Sequence, residues 1–164
     1  MAKYNAALGL SIGTRKVGSA LMTNNHLDCA RVWVFPGRWS EPKLQKMMRR
    51  LDRKMKKYHI TSIAIKVPSP THHTSGLRQL IAAIKVYCAQ NSVYLHICTI
   101  HELKPSVSKG RSNKKMLIQQ LAAKYPRLYL KAQKELMNRN AHHIKMFEAV
   151  AAAELLQKIL TKNT

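Results

Sequence analysis

Seven acidic side chains, Asp28, Glu41, Asp52, Glu102, Glu135, Glu148 and Glu154, stand against 29 lysines and arginines in this 164-residue chain. Carboxylates are the usual protein ligands of magnesium and the commonest acid–base partners of histidine, so hydrolytic chemistry has few residues to draw on. Asp28 is expected to open an outer strand, and Glu41, Asp52 and Glu135 are expected on exposed helical faces among basic residues. The pairs His72-His73 and His142-His143 offer imidazoles. Neighbouring histidines on an extended segment point apart, however, and neither pair has a cysteine or acid at ligand spacing, so no metal site is predicted. Cys29, Cys88 and Cys98 are isolated and odd in number, with no CxxC pair. They read as small core or strand residues of a reducing compartment.

The chemistry that the composition does favour is charge pairing with a polyanion. The formal net charge is +22 and the sequence pI is near 10.4. Lysines and arginines that neutralise phosphates release condensed counterions, which gives nucleic acid affinity without base reading. The segment from Glu41 to Tyr58 is the densest case: Lys43, Lys46, Arg49, Arg50, Arg53, Lys54, Lys56 and Lys57 are offset there only by Glu41 and Asp52. Like charges at three- and four-residue spacing weaken a helix, which argues for a partner. No apolar run reaches the roughly 20 residues of a membrane span, and no cleavable leader is recognised, so a cytoplasmic protein with no membrane partner is expected.

These side chains must be positioned by one α/β domain spanning residues 1–164, a length that buries a core without disulfide or metal support. Ala6 to Ile12, Val17 to Met22 and Asp28 to Phe35 are apolar or alternating runs separated by Gly13-Thr14-Arg15-Lys16 and Asn24-Asn25, which predicts a three-strand meander. Trp33, Phe35 and Trp39 read as core residues. Ser40 caps a helix over Glu41 to Tyr58 whose stripe is Leu44, Met47, Met48, Leu51, Met55 and Tyr58. Thr61 to Val67 predicts a buried parallel strand, Leu77 to Asn91 a second helix and Val93 to Ile100 a fifth strand. A basic loop, Pro105 to Ser112, leads to Asn113 as cap of a third helix reaching Tyr125. Residues 127–142 predict a helical turn or two with a polar connection. The alanine- and leucine-rich run from Ile144 to Leu160 predicts a last helix. The order meander, helix, strand, helix, strand specifies a mixed five-stranded sheet flanked by helices.

Ala7-Leu8-Gly9-Leu10-Ser11-Ile12-Gly13-Thr14-Arg15-Lys16-Val17-Gly18 resembles the opening strand and hairpin of the RuvC Holliday-junction resolvases, within the ribonuclease H-like superfamily. Ile63-Ala64-Ile65-Lys66-Val67-Pro68 resembles the second motif strand of that family. The stretch from Thr99 to Gly110 with Lys114-Lys115, and the final helix through Glu148-Ala149-Val150-Ala151, resemble its later parts, so the resemblance covers almost the whole chain. It implies a ribonuclease H-like fold and a magnesium-dependent junction endonuclease whose four carboxylates hold two metal ions. Here the matching positions carry Ser11, Lys66, Lys145 and Glu148; a small shift of register brings His142 or His143 to the third. An ammonium cannot ligate a cation, so loss of two-metal cleavage is expected.

The resemblance also implies a nucleic acid surface comprising Arg15, Lys16, Lys66, His72, His73, Lys109, Arg111, Lys114, Lys115, His142, His143 and Lys145. Lys66 either extends its stem to solvent or sets a positive charge against a phosphate. The primary expectation is a non-catalytic homodimer that binds branched DNA, without a cofactor. Two alternatives stay open: a nuclease with a rearranged site of Glu148, His142, His143 and Glu102 that uses magnesium, and a structural RNA-binding protein.

Overall fold

The structure is a computed structural model that describes residues 5–103, 114–137 and 142–163. Strands β1 (Ala6–Ser11), β2 (Lys16–Thr23) and β3 (His26–Val34) form the antiparallel meander. Asn24 and Asn25 turn β2 into β3 with φ of 49° and 66°. Two successive positive φ values match the twist of paired strands, and asparagine tolerates them. The third strand starts at His26, two residues ahead of the expected Asp28, because this tight turn lets pairing begin at once.

Helix α1 (Glu41–Lys57) begins where Ser40 accepts a hydrogen bond from the Lys43 N–H at 3.3 Å. Strand β4 (Ser62–Lys66) follows, then α2 (Ser75–Gln90) and β5 (Tyr94–Cys98). The α2 start lies ahead of the expected Leu77 because Thr74 caps it, accepting from the Leu77 N–H at 3.2 Å. The sheet order is β3-β2-β1-β4-β5, with β4 parallel to both β1 and β5. Short α3 (Ile100–Leu103), α4 (Lys114–Lys124) and α5 (Tyr129–Met137) precede α6 (Ile144–Lys162). The five-stranded mixed sheet with flanking helices is the architecture expected. Lys109 and Arg111 lie outside the described residues, as does the cap assigned to Asn113.

Strand alternation divides the core into two layers. Leu8, Leu10, Ile63 and Ile65 face α1 and α2, where Met47, Leu51 and Ile84 meet them, and Trp33 and Phe35 are buried in the same layer. Ala7 and Ala64 face α6 with Phe147, Val150 and Leu156. Two glycines allow α6 to lie directly on the sheet: a Cβ at Gly9 would stand 2.0 Å from the Ala149 carbonyl oxygen, and one at Gly18 would stand 1.9 Å from that of Lys145. Both separations are far inside van der Waals contact, so these positions must be bare backbone.

Glu135 departs from expectation. It is buried rather than exposed, and its carboxylate accepts from the His142 and His143 N–H groups at 3.2 and 2.8 Å. The free donors at the start of α6 draw it inward, since the first turn of a helix attracts an anion. Asp52 is half-buried, paired with Lys56 at 2.8 Å and accepting from the Tyr87 hydroxyl at 2.9 Å, which holds its carboxyl below the usual range. Among the described residues no helix is long and apolar enough to cross a membrane.

Candidate functional site

The parallel pairing of β1 and β4 sets Ser11 directly beside Lys66 at the carboxyl ends of both strands. Alternation points Ser11 toward α6, since Ala7 and Gly9 lie on that face. From α6, Glu148 reaches the same point. Its Oε2 accepts the Ser11 hydroxyl at 3.5 Å, a long contact, and forms an ion pair with Lys66 Nζ. The Glu148 side chain is 3% exposed and that of Lys66 12%, so the pair is largely withdrawn from water. A buried charge is tolerable when matched in this way, and leaving one partner alone would be costly.

Lys145 sits one helical turn ahead of Glu148 on the same face and donates to the Ile12 carbonyl at 3.1 Å. Burial holds its ammonium below the ordinary lysine range; Glu148 opposes that shift, while Lys66, Lys114 and Lys16 add to it. Lys16 Nζ meets His142 Nδ1 at 3.2 Å. Burial also lowers His143, and its neighbour His142 adds to the effect. Ser11, Lys66, Lys145 and Glu148 are therefore brought together at one end of the sheet, with Lys16, Lys114 and His142 around them.

The remaining predicted residues are spread more widely. His72 and His73 lie in the β4–α2 connection, where the His73 ring contacts the Pro68 carbonyl at 2.8 Å. Arg15 is exposed in the β1–β2 turn and Lys115 is exposed on α4. Glu102 interacts with His96 at 3.4 Å.

The donor set does not suit a magnesium ion. One carboxylate is present where several are required, its charge is met by an ammonium, and a second, half-buried lysine stands beside it. Among the described residues no three histidines, cysteines or acids gather to hold a metal. The rearranged ligand set of Glu148, His142, His143 and Glu102 is not assembled: Glu148 turns to Lys66, Glu102 to His96, and His142 to Lys16.

Sequence reasoning misses the Lys66–Glu148 pair itself. Its signal is present nonetheless, since a lysine and an acid occupy two motif positions that converge in this fold.

No protein-family model and no curated protein matches this sequence. Solved structures do match. Thermus thermophilus RuvC aligns over 97% of this chain and 97% of its own, with a TM-score of 0.70 at 11% identity. T. thermophilus RuvC in complex with a Holliday junction substrate aligns over 98% of both chains, with a TM-score of 0.63 at 12% identity. Fowlpox virus resolvase, solved with Holliday junction DNA, covers 93% of this chain and 99% of its own, with a TM-score of 0.56 at 11% identity. The chain thus has a ribonuclease H-like fold of the RuvC type.

Proposed function

We propose that this chain binds branched, Holliday-junction-like DNA at the Ser11–Lys66–Glu148 end of its sheet and holds it without cutting. The Lys66–Glu148 ion pair carries the proposal. Two-metal cleavage requires converging carboxylates to position the ions, activate water and stabilise the leaving oxygen. A divalent ion here would have to displace an ammonium from Glu148, the carboxylate that reaches this end of the sheet. The same replacement supplies what binding needs: Lys16, Lys66, Lys114 and Lys145 against Glu148 leave a local surplus of three positive charges. Lys66 directs its charge to Glu148, so it removes repulsion between an acid and phosphate more than it attracts phosphate itself. Lys16 and Lys145 are the better candidates for direct contact. The solved fold neighbours that hold junction DNA support the choice of a branched substrate. A two-fold dimer would match a two-fold junction.

Purified protein mixed with a four-way junction, a linear duplex and a structured RNA tests this directly. The expected result is a junction complex favoured over linear duplex, no nicking in magnesium or manganese, and a dimer by sedimentation. Metal-dependent nicking abolished by Glu148→Ala would overturn the non-catalytic reading, and tighter binding to the RNA would replace DNA as partner.

A further inference from the structure

A groove on the opposite face of the sheet has no part in that site. It runs between edge strand β3 and α1. One section of about 600 Å³ is lined by Arg31, Arg50, Arg53, Lys54 and Lys57, with Trp33 and Tyr58 in its walls. It continues past Arg50 and Arg53 into a second section of about 610 Å³ that adds Arg38, Lys46 and Arg49. Among the described residues no acid lines either section. The nearest mid-helix acid, Asp52, is turned away to Tyr87 and Lys56.

The cations are organised rather than dispersed. The Arg50 guanidinium lies 4.9 Å from the centre of the buried Trp33 ring and 5.9 Å from that of Phe35, while Lys54 lies 5.8 Å from both Trp33 and Tyr58. Burial, and after it repulsion from the neighbouring Arg53 and Arg31, pushes the Arg50 guanidinium below its usual value. Such crowding opposes folding and is relieved by an anion. Along α1, Lys46, Arg49, Arg53 and Lys57 recur at three- and four-residue steps, a row spanning roughly 16 Å at 1.5 Å per residue. That length covers two or three consecutive phosphates.

We infer that the β3–α1 groove is a second nucleic acid site that takes the phosphate backbone of a duplex arm, separate from the Ser11–Lys66–Glu148 end. Duplex is favoured over single strand because the rings are covered by cations and offer no open stacking platform, which single-strand binders need. The groove is two strands from β1, roughly 10 Å across the sheet, and on its other face, so its contacts are separate from those at the Ser11–Lys66–Glu148 end. This second site goes beyond the junction proposal and does not depend on it.

The test uses full-length protein and fluorescence anisotropy with a linear duplex, a four-way junction and an oligo-dT strand across a salt series. The groove variant Lys46→Gln/Arg49→Gln/Arg53→Gln/Lys57→Gln alters exposed positions. A control variant, Lys85→Gln/Lys134→Gln/Lys158→Gln/Lys162→Gln, removes equal charge elsewhere. The groove variant should lose at least tenfold in linear-duplex affinity relative to the control, and its salt slope should fall by about three, near 0.9 for each phosphate no longer neutralised. In wild-type protein, duplex should shield Lys46, Lys54 and Lys57 from reductive methylation, a readout independent of variant folding. Equal binding by groove and control variants, absence of shielding, or preferential loss of oligo-dT binding would each overturn the duplex site. Junction preference over duplex in the wild type is a separate quantity, so its absence defeats the junction proposal while leaving this result intact.

Discussion

Lys66 and Glu148 approach from different layers, one at the end of β4 and one on α6, and neutralise each other in the space between. Breaking a buried pair by removing one partner strands the other charge, at a cost of about 3 kcal/mol or more. Lys66→Met should therefore lower stability by that order, whereas Lys66→Met/Glu148→Leu should recover most of it. Chemical denaturation of the two single variants and the double variant completes the cycle; additive effects would mean the pair is not coupled.

The same geometry predicts that metal binding can be installed. Ser11 and Lys66 are register partners and both meet Glu148, so Ser11→Asp/Lys66→Glu would gather three carboxylates. Without metal, repulsion should lower the melting temperature below wild type. Manganese or magnesium should restore it, by about 2.7 kcal/mol at a hundred times the dissociation constant, and should leave the wild type unchanged. An unresponsive variant would show that the three positions do not converge.

Lys145 provides a pH signature. Its folded-state ammonium is lowered by burial, so the charge is lost at a pH below that of an ordinary lysine. Folding disfavours the charged form, so Lys145 becomes less destabilising as pH rises through its lowered pKa towards the usual lysine value. Binding has the opposite sign, because phosphate needs the charge. Junction affinity should decline on raising pH from neutral, and Lys145→Arg should flatten that decline. Anisotropy titrations between pH 7 and about 10, below the ordinary lysine pKa, check both; parallel curves for wild type and variant would exclude Lys145 from the interface.

Gly18→Ala places a methyl against the backbone of Lys145 and Met146, which cannot move as a flexible side chain would. A loss of about 3 kcal/mol or failure to fold is expected, in the upper range for overpacking. Gly37→Ala serves as a contrast. Open space surrounds that position, so only the strain of its φ of 91° should register, about 1 kcal/mol. Thermal melts of both distinguish packing from backbone strain.

The sheet is legible in the sequence because its signals are local: alternating runs, the Asn24-Asn25 turn and the Ser40 cap each act within a few residues. The site is legible in membership but not in bonding. Ser11, Lys66, Lys145 and Glu148 are identifiable through their motif positions, yet whether Lys66 reaches solvent, phosphate or Glu148 depends on side chains brought together only by packing. Glu135 illustrates the same limit. Lysine neighbours in the sequence suggest an exposed face, whereas the N–H groups of His142 and His143, supplied by the approach to a different element, decide where its carboxylate goes.

The bare contact of α6 with Gly9 and Gly18 has an evolutionary consequence. What fixes the helix on the sheet is backbone and methyl surface, and what determines reactivity is a handful of side chains just beyond it. A lineage can therefore exchange the reactive residues one after another while the architecture is inherited unchanged. The same frame can carry sites of different chemistry, and placing carboxylates at Ser11 and Lys66 asks nothing of the helix–sheet contact.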